Sequence, residues 1–262
     1  MAIHPDRQQA MARREQLILD TARDLIQREG LLTLQMSRLA RACGLAVGTL
    51  YLHFDTKEDL LLALATGNAE SRLGLFARAA AWNGPSRERL LAVAVADTLA
   101  LEQAPELFRL HQYVLTEVVW NAASLRQRQR MLDATAPIQS LLDGIVARAI
   151  ADGDLPDTHG MAARELVLGA WCQCLGMHTL AHAEGLLDSH EVRQPYRLLF
   201  KQLNLLLNGY GWLPLMAPVE DAAVAAQVER LCRHVFDLPL PFCVAHARRL
   251  APDSRPATEA SR

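Results

Sequence analysis

Apolar residues recur along most of this chain at steps of three and four, and no stretch alternates with a period of two between turn residues, so the pattern predicts an all-α protein. Over residues 13–29, Leu17, Ile18, Thr21, Ala22, Leu25 and Ile26 form one stripe, with Arg14, Asp20, Arg23, Asp24 and Arg28 opposite. Gly30 then offers a left-handed helix stop. Short helices are predicted over 36–43 and 47–54, with Gly44 in the turn between them. Thr56 opens a longer helix as its N-cap, and Asp59 three positions on completes a capping box. Breaks are expected at 83–85, at Pro105, and around 153–160, 185–195 and 209–218, leaving about six further helices. Pro137 predicts a kink within 124–151. Pro239, Pro241, Pro252 and Pro256, with Ser and Thr near the end, predict an irregular and finally disordered tail over 237–262.

Composition narrows the class. The 262 residues are 51% hydrophobic, 21% charged and 5% aromatic, which fits one large globular domain or two modest ones and excludes a disordered or collagen-like chain. The longest apolar run, 90–96, stops at Asp97, well short of the roughly eighteen residues that span a bilayer, so no membrane is expected among the partners. The N-terminus mixes Arg7, Arg13 and Arg14 with Asp6 and Glu15 and has no apolar stretch, so it does not read as a secretory signal; the expected location is the cytoplasm. Cys43, Cys172, Cys174, Cys232 and Cys243 are odd in number and lack a CxxC pair, which fits thiols in a reducing compartment. A formal net charge of −2 gives no global pull toward nucleic acid, so any basic face has to be local. No P-loop, GxSxG, HExxH or strand-borne GxGxxG is found, and the chain is not expected to be an enzyme.

Residues 39–51, Leu-Ala-Arg-Ala-Cys-Gly-Leu-Ala-Val-Gly-Thr-Leu-Tyr, have the grammar of a helix-turn-helix. Leu39, Ala40 and Cys43 face inward on the first helix, Gly44 makes the turn, Leu45 fills the angle and Leu50 packs the second helix down. That leaves Val47, Gly48, Thr49, Tyr51, Leu52 and His53 outside, on a helix that fits a major groove. Taken alone, Tyr51 and His53 equally fit half-buried positions of a small three-helix domain. Together with His53-Phe54-Asp55-Thr56-Lys57-Glu58-Asp59-Leu60-Leu61, however, the segment resembles the DNA-binding domain of the tetracycline-repressor (TetR) family of bacterial transcriptional regulators, over roughly the first 60 residues.

The resemblance implies a DNA-binding domain over 1–60, with phosphate contacts from Thr49, Tyr51, His53 and Lys57. The chemistry agrees: hydroxyls donate to phosphate oxygens, Lys57 adds a point charge, and the helix N-terminus near Thr56 directs free N–H groups outward. Residues 1–57 hold eight Arg or Lys against six Asp or Glu, so binding is expected to rest on geometry more than on bulk charge. Two positions depart from the family's usual pattern. Ala46 stands where a Ser or Thr usually caps the recognition helix, giving up roughly 1 kcal/mol. Gln35 stands where Ser or Thr usually begins the preceding helix, with Thr33 as a shifted substitute. Since Val47, Gly48 and Leu52 leave few polar groups for base edges, specificity is expected from contacts to thymine methyls, from Gln35 or Ser37, and from DNA shape.

From 61 to 236 the pattern predicts a helical bundle, which the resemblance makes a ligand-binding and dimerisation domain. Candidate pocket walls are Trp82, Leu107, Phe108, His111, Leu115, Trp120, Trp171, Leu175 and His178, each of which also fits plain core. Glu117, in the apolar run 114–120, needs an Arg partner, a ligand amine or access to solvent. Cys174, His178 and His182 share one helix face and are types that bind zinc or copper, yet a small buried thiol and packed imidazoles account for them, and no metal or other cofactor is expected. Leu166, Gly169, Ala170, Gly176 and Ala181 lie on a helix expected over 160–183, where small residues permit close approach. With the helix over 195–207, which carries Leu198 and Leu205, it resembles the pair that builds an intersubunit four-helix bundle in family members. The resemblance therefore implies a homodimer on a palindromic double-stranded operator, acting as a repressor released by an unidentified small-molecule effector. A sequence-tolerant DNA organiser without an effector is the alternative. The helix expected over 219–236 has no readable role.

Overall fold

The computed structural model describes residues 5–157 and 160–245. Among these the chain is helical with irregular connections and no strand. The helices are α1 (Pro5–Glu29), α2 (Met36–Ala42), α3 (Val47–Tyr51), α4 (Lys57–Ala81), α5 (Ser86–Gln103), α6 (Pro105–Val114), α7 (Glu117–Ala122), α8 (Leu125–Ala151), α9 (Ala163–His182), α10 (Pro195–Gly209), α11 (Asp221–Leu231) and α12 (Phe242–Ala245). Two compact units form, each from two stretches of chain: Met1–Ala77 with Ala96–Leu141, and Arg78–Val95 with Leu142–Arg262.

The first unit is organised on α1, whose Ile18, Ala22, Leu25 and Ile26 are buried at helical spacing. They share one apolar cluster with Met36, Leu39 and Ala40 of α2, Leu50 of α3, Phe54, residues 60–65 of α4, Leu110 and Val114 of α6, Val119 of α7 and Met131 of α8. A fully buried leucine contributes roughly 1.5–3 kcal/mol, so this cluster holds the unit together. The boundary expected near residue 60 is not where the units part, because Leu60, Leu61, Leu62 and Leu64 belong to the same core as α1–α3.

Polar detail shapes the turns of this unit. Gly44 sits at φ 66° and the Leu45 N–H donates to the Ala40 carbonyl at 2.9 Å, a left-handed close of α2 that favours glycine. Thr56 caps α4, its Oγ1 accepting the Asp59 N–H at 3.0 Å. The reciprocal half of the expected box is missing, because the Asp59 carboxylate accepts the Ser124 N–H at 2.6 Å instead. Thr33 does not substitute as the cap of α2. Its hydroxyl donates back to the carbonyls of Glu29 at 3.2 Å and Gly30 at 2.9 Å, closing α1. Neither Gln35 nor Ala46 supplies a side-chain cap to the helix it opens.

Other elements differ from the sequence pattern in detail. Helix α1 begins at Pro5 rather than residue 13. Pro137, where a kink is expected, lies inside the continuous helix α8. Leu115 and Thr116 separate α6 from α7 without a Gly or Pro to signal the break. The helix expected over 219–236 begins at Asp221 and ends in a π-helical turn over Cys232–Phe236. Within the tail, Phe242–Ala245 forms α12, whose final carbonyls find a partner: Arg197 donates to Val244 O at 3.0 Å and to Ala245 O at 3.2 Å. Residues 246–262 of the expected tail lie outside the described residues.

In the second unit α9 packs on α10, and a buried polar network fixes α5, α10 and α11 together. Arg87, only 1% exposed, donates to Trp212 O at 2.8 Å, Asn204 O at 2.9 Å and Asn204 Oδ1 at 3.0 Å. Asn204 Nδ2 donates to Gln227 Oε1 of α11 at 2.9 Å, and Trp212 Nε1 to Ser86 Oγ at 2.9 Å. Removing the guanidinium strands carbonyl oxygens that have no other route to water. Arg87→Ala is therefore expected to cost about 3 kcal/mol, read from the midpoint of urea unfolding.

Candidate functional site

Leu50 and Phe54 are fully buried and pin α3 to the core, which leaves its opposite side outward: Val47 is 39% exposed, Tyr51 46% and Leu52 78%. Gly48 belongs to this face, and a Cβ added there would meet nothing within 4 Å. Thr49 is partly exposed, Thr33, Gln35 and Ser37 are exposed, and Lys57 is partly exposed in the first turn of α4. His53 departs from expectation. Its ring is buried, because the chain turns there from α3 into α4, so it is not offered to phosphate. Burial lowers the His53 pKa, with Glu15 opposing the shift and Arg14 adding to it.

Two cations that the sequence reading missed complete this face of the chemistry. The side chains of Arg14 and Arg41 are exposed, and among the described residues no hydrogen bond or ion pair engages them. Arg41 stands four residues after Ser37, hence on the same face of α2, a spacing visible in the sequence. Arg38, by contrast, is engaged by Glu29 at 2.7 Å and Arg23 by Asp20 at 2.7 Å. If Arg41 neutralises one phosphate, Arg41→Ala weakens binding to all duplexes alike and reduces the slope of log K against log salt by about one, measured as affinity at several salt concentrations.

The interior of the first unit carries a buried ion pair between Arg72 of α4 and Asp97 of α5. The Arg72 guanidinium lies 5.3 Å from the Phe76 ring centre and 5.4 Å from that of Phe108. Burial lowers its pKa to about 10. His111 is held down to about 3, first by burial and then by the Arg72 charge, and its buried Nδ1 has no partner. Phe108 and His111 thus sit beside charged residues that periodicity did not single out; the one hint was Asp97, which ends the longest apolar run. Leu107, Leu115 and Trp120 are partly buried in the same unit. Glu117 reaches solvent at the start of α7, where the helix N-terminus favours its charge, and so does not line an interior.

A histidine neutral in the fold and titrating normally when unfolded destabilises the fold in acid. Between pH about 6.5 and about 3 the unfolded chain binds more protons at residue 111, so this contribution is intact above pH 6.5 and declines as pH falls. His111→Leu should therefore lose less stability than the wild type over that window, measured by urea unfolding at stepped pH.

Trp82, Trp171, Leu175 and His178 belong to the second unit. Trp171 is 43% exposed rather than a wall, while His178 is buried, with Nδ1 3.3 Å from the Tyr196 hydroxyl. Burial raises the Cys174 thiol to about 12, which keeps it protonated, and His182 Nδ1 lies 2.7 Å from the His178 carbonyl. A cleft of about 410 Å³ in this unit is lined by other residues, among them Arg87, Glu88, Met216, Glu220 and Gln227.

The expected interface residues divide. Leu166 and Ala170 are buried, and a Cβ at Gly169 would come within 2.9 Å of the Tyr210 hydroxyl, so these serve packing of α9 on α10 within the chain. Ala181 and Leu198 are partly exposed. Gly176 and Leu205 face outward, joined by Leu168, Trp171 and Leu180, which were not singled out. Spacing alone cannot say which small residues a helix turns toward its own neighbour.

No helix among the described residues is long and apolar enough to cross a membrane. Residues 18–64 match the family model described as bacterial regulatory proteins, tetR family. The fatty acid metabolism regulator protein of Bacillus subtilis (strain 168) is 24% identical over 153 residues, 58% of this chain and 76% of that protein. The structure of the transcriptional regulator FadR from Bacillus subtilis, in complex with stearoyl-CoA, aligns with TM-score 0.53 at 22% identity, covering 74% of this chain and 98% of that one. A transcriptional regulator of the TetR/AcrR family from Thermobifida fusca YX-ER1 aligns with TM-score 0.53 at 20% identity over 75% of this chain and 98% of its own. At these identities the structural likeness is one of fold.

Proposed function

We propose that this chain, whose residues 18–64 match the model of the tetR family of bacterial regulatory proteins, is a homodimeric, sequence-specific repressor of that family, released from a palindromic operator by a small-molecule effector. The observation that carries this reading is the outward face of α3, where Val47, Gly48, Thr49, Tyr51 and Leu52 project from a helix anchored by Leu50 and Phe54. Tyr51, Thr49, Lys57 and Arg41 hold phosphates; Val47 and Leu52 meet thymine methyls, with Gln35 and Ser37 nearby on α2. The outward stripes of α9 and α10, with Trp171 and Leu205 at their centre, form the dimer contact. Inside the first unit, Arg72, Asp97 and His111 among Phe76 and Phe108 supply the polar end of an effector site. An apolar chain with an acidic head suits that interior, and the bound stearoyl-CoA of the Bacillus subtilis neighbour makes this molecule the first probe.

Selection from a randomised duplex library tests the reading. Recovery of an inverted repeat with half-sites about one helical turn apart, displaced from the protein by stearoyl-CoA, is the expected result. Recovery of no preferred sequence overturns the regulator reading, and an operator complex insensitive to stearoyl-CoA overturns the effector class. Trp171→Glu places a charge in the proposed dimer contact; a monomer in sedimentation, with about tenfold or greater loss of affinity for the selected repeat, is expected.

A further inference from the structure

Three contacts tie the first turns of α8 to three different parts of the DNA-binding head, all within the first unit. The buried Asp59 carboxylate, in the first turn of α4, accepts the Ser124 N–H at 2.6 Å. Arg126 Nη2 donates to the His53 carbonyl, just after the recognition helix, at 3.4 Å. Arg130 Nη1 pairs with Glu15 of α1 at 3.0 Å. Between these points Ala123 and Met131 are buried in the same apolar cluster as Leu50 and Phe54.

A five-residue helix without a side-chain cap takes its direction from whatever grips its ends. Apolar packing is nondirectional, whereas a hydrogen bond to a buried carboxylate sets a geometry. The Glu15–Arg130 pair is partly exposed and adds little stability, so orientation is what it contributes. The grip is also incompletely satisfied. Gln127, in the first turn of α8 and 0% exposed, has neither amide atom partnered, and His53 Nδ1 is buried and unpartnered. Orphaned polar atoms favour any rearrangement that satisfies them, so the contact is one that can shift.

We propose that the start of α8 is a clamp that sets the angle of the recognition helix, with Asp59 and Arg130 as positioning residues for operator recognition that do not touch DNA. The proposal rests on the DNA-binding reading above and adds to it the place where the head's orientation is controlled. A displacement of α8 moves α1, the α3–α4 link and the start of α4 together, because each is bonded to it separately.

The test uses the full-length protein and two readouts: the ratio of affinities for the selected and a random duplex in the same salt, and amide hydrogen exchange over residues 47–54. Asp59→Leu removes the acceptor, whereas Asp59→Asn keeps an oxygen for the Ser124 N–H. Arg130→Glu breaks the surface pair without a buried change, and Glu15→Arg added to it rebuilds the pair reversed. Asp59→Leu and Arg130→Glu are each expected to lower the affinity ratio about tenfold and to speed exchange over 47–54, with Asp59→Asn and the reversed pair recovering most of both. A purely structural loss lowers the active fraction for both duplexes alike and leaves the ratio unmoved. An unchanged ratio and unchanged exchange in Asp59→Leu and Arg130→Glu overturn the clamp. So does a ratio that stays low in the reversed pair, which would make Arg130 itself a DNA contact. If the wild-type protein prefers no duplex, the regulator reading fails, and faster or unchanged exchange in the variants alone decides for or against the clamp.

Discussion

Five residues are too few for a helix to persist in water, because the cost of forming the first turn is never recovered by the few bonds that follow. Helix α3 exists because Leu50 and Phe54 are sunk in a core that runs from Ile18 of α1 to Met131 of α8. This one anchorage explains why the outward residues of α3 can be as apolar as Val47 and Leu52: they contribute nothing to holding the helix and are left to other uses. It also explains why the first unit reaches well beyond the three-helix head. Helices α1–α3 share their interior with α4, α6, α7 and the beginning of α8.

The second unit solves a different problem with directed bonds. Apolar surfaces bring α9 and α10 together, but the position of α11 and the 210–220 loop is specified by Arg87, Asn204 and Gln227, whose hydrogen bonds reach backbone carbonyls and one another. Asn208 does the same for the loop itself, donating to Met216 O at 2.6 Å and accepting from Met216 N at 3.1 Å. Helix α11, which had no readable role in the sequence, is therefore a structural member of its unit. A buried polar network tolerates few alternatives, since each partner removed leaves another unsatisfied.

Much of this architecture was legible in the order of residues. Periodicity located the helices, Gly30 and Gly44 marked stops, Thr56 marked a start, and the run from Leu39 to Leu61 announced the helix-turn-helix. What escaped was consistently a matter of partners. Asp59 looked like half of a local capping box but bonds to Ser124, which is remote in sequence. Gly169 looked like a groove for another subunit but accommodates Tyr210 of its own chain. His53 looked outward on a helical wheel, yet α3 has already ended there and the chain has turned inward. Arg72 and Asp97 sit in stretches whose apolar pattern suggests only core, and their pairing depends on how α4 and α5 approach. A hydrophobic pattern reports that a face is covered; it carries no information about what covers it.

The pairing of Arg23 with Asp20 and Arg38 with Glu29 has a kinetic side. On the regulator reading proposed above, charges committed inside the protein would release no counterions from a duplex, so the sequence-independent hold on DNA would be light. Such a regulator would slide little and leave bulk DNA readily, searching by repeated collision through solution. Its molecules would then be free much of the time, where an effector reaches them without waiting for release from a large nonspecific reservoir.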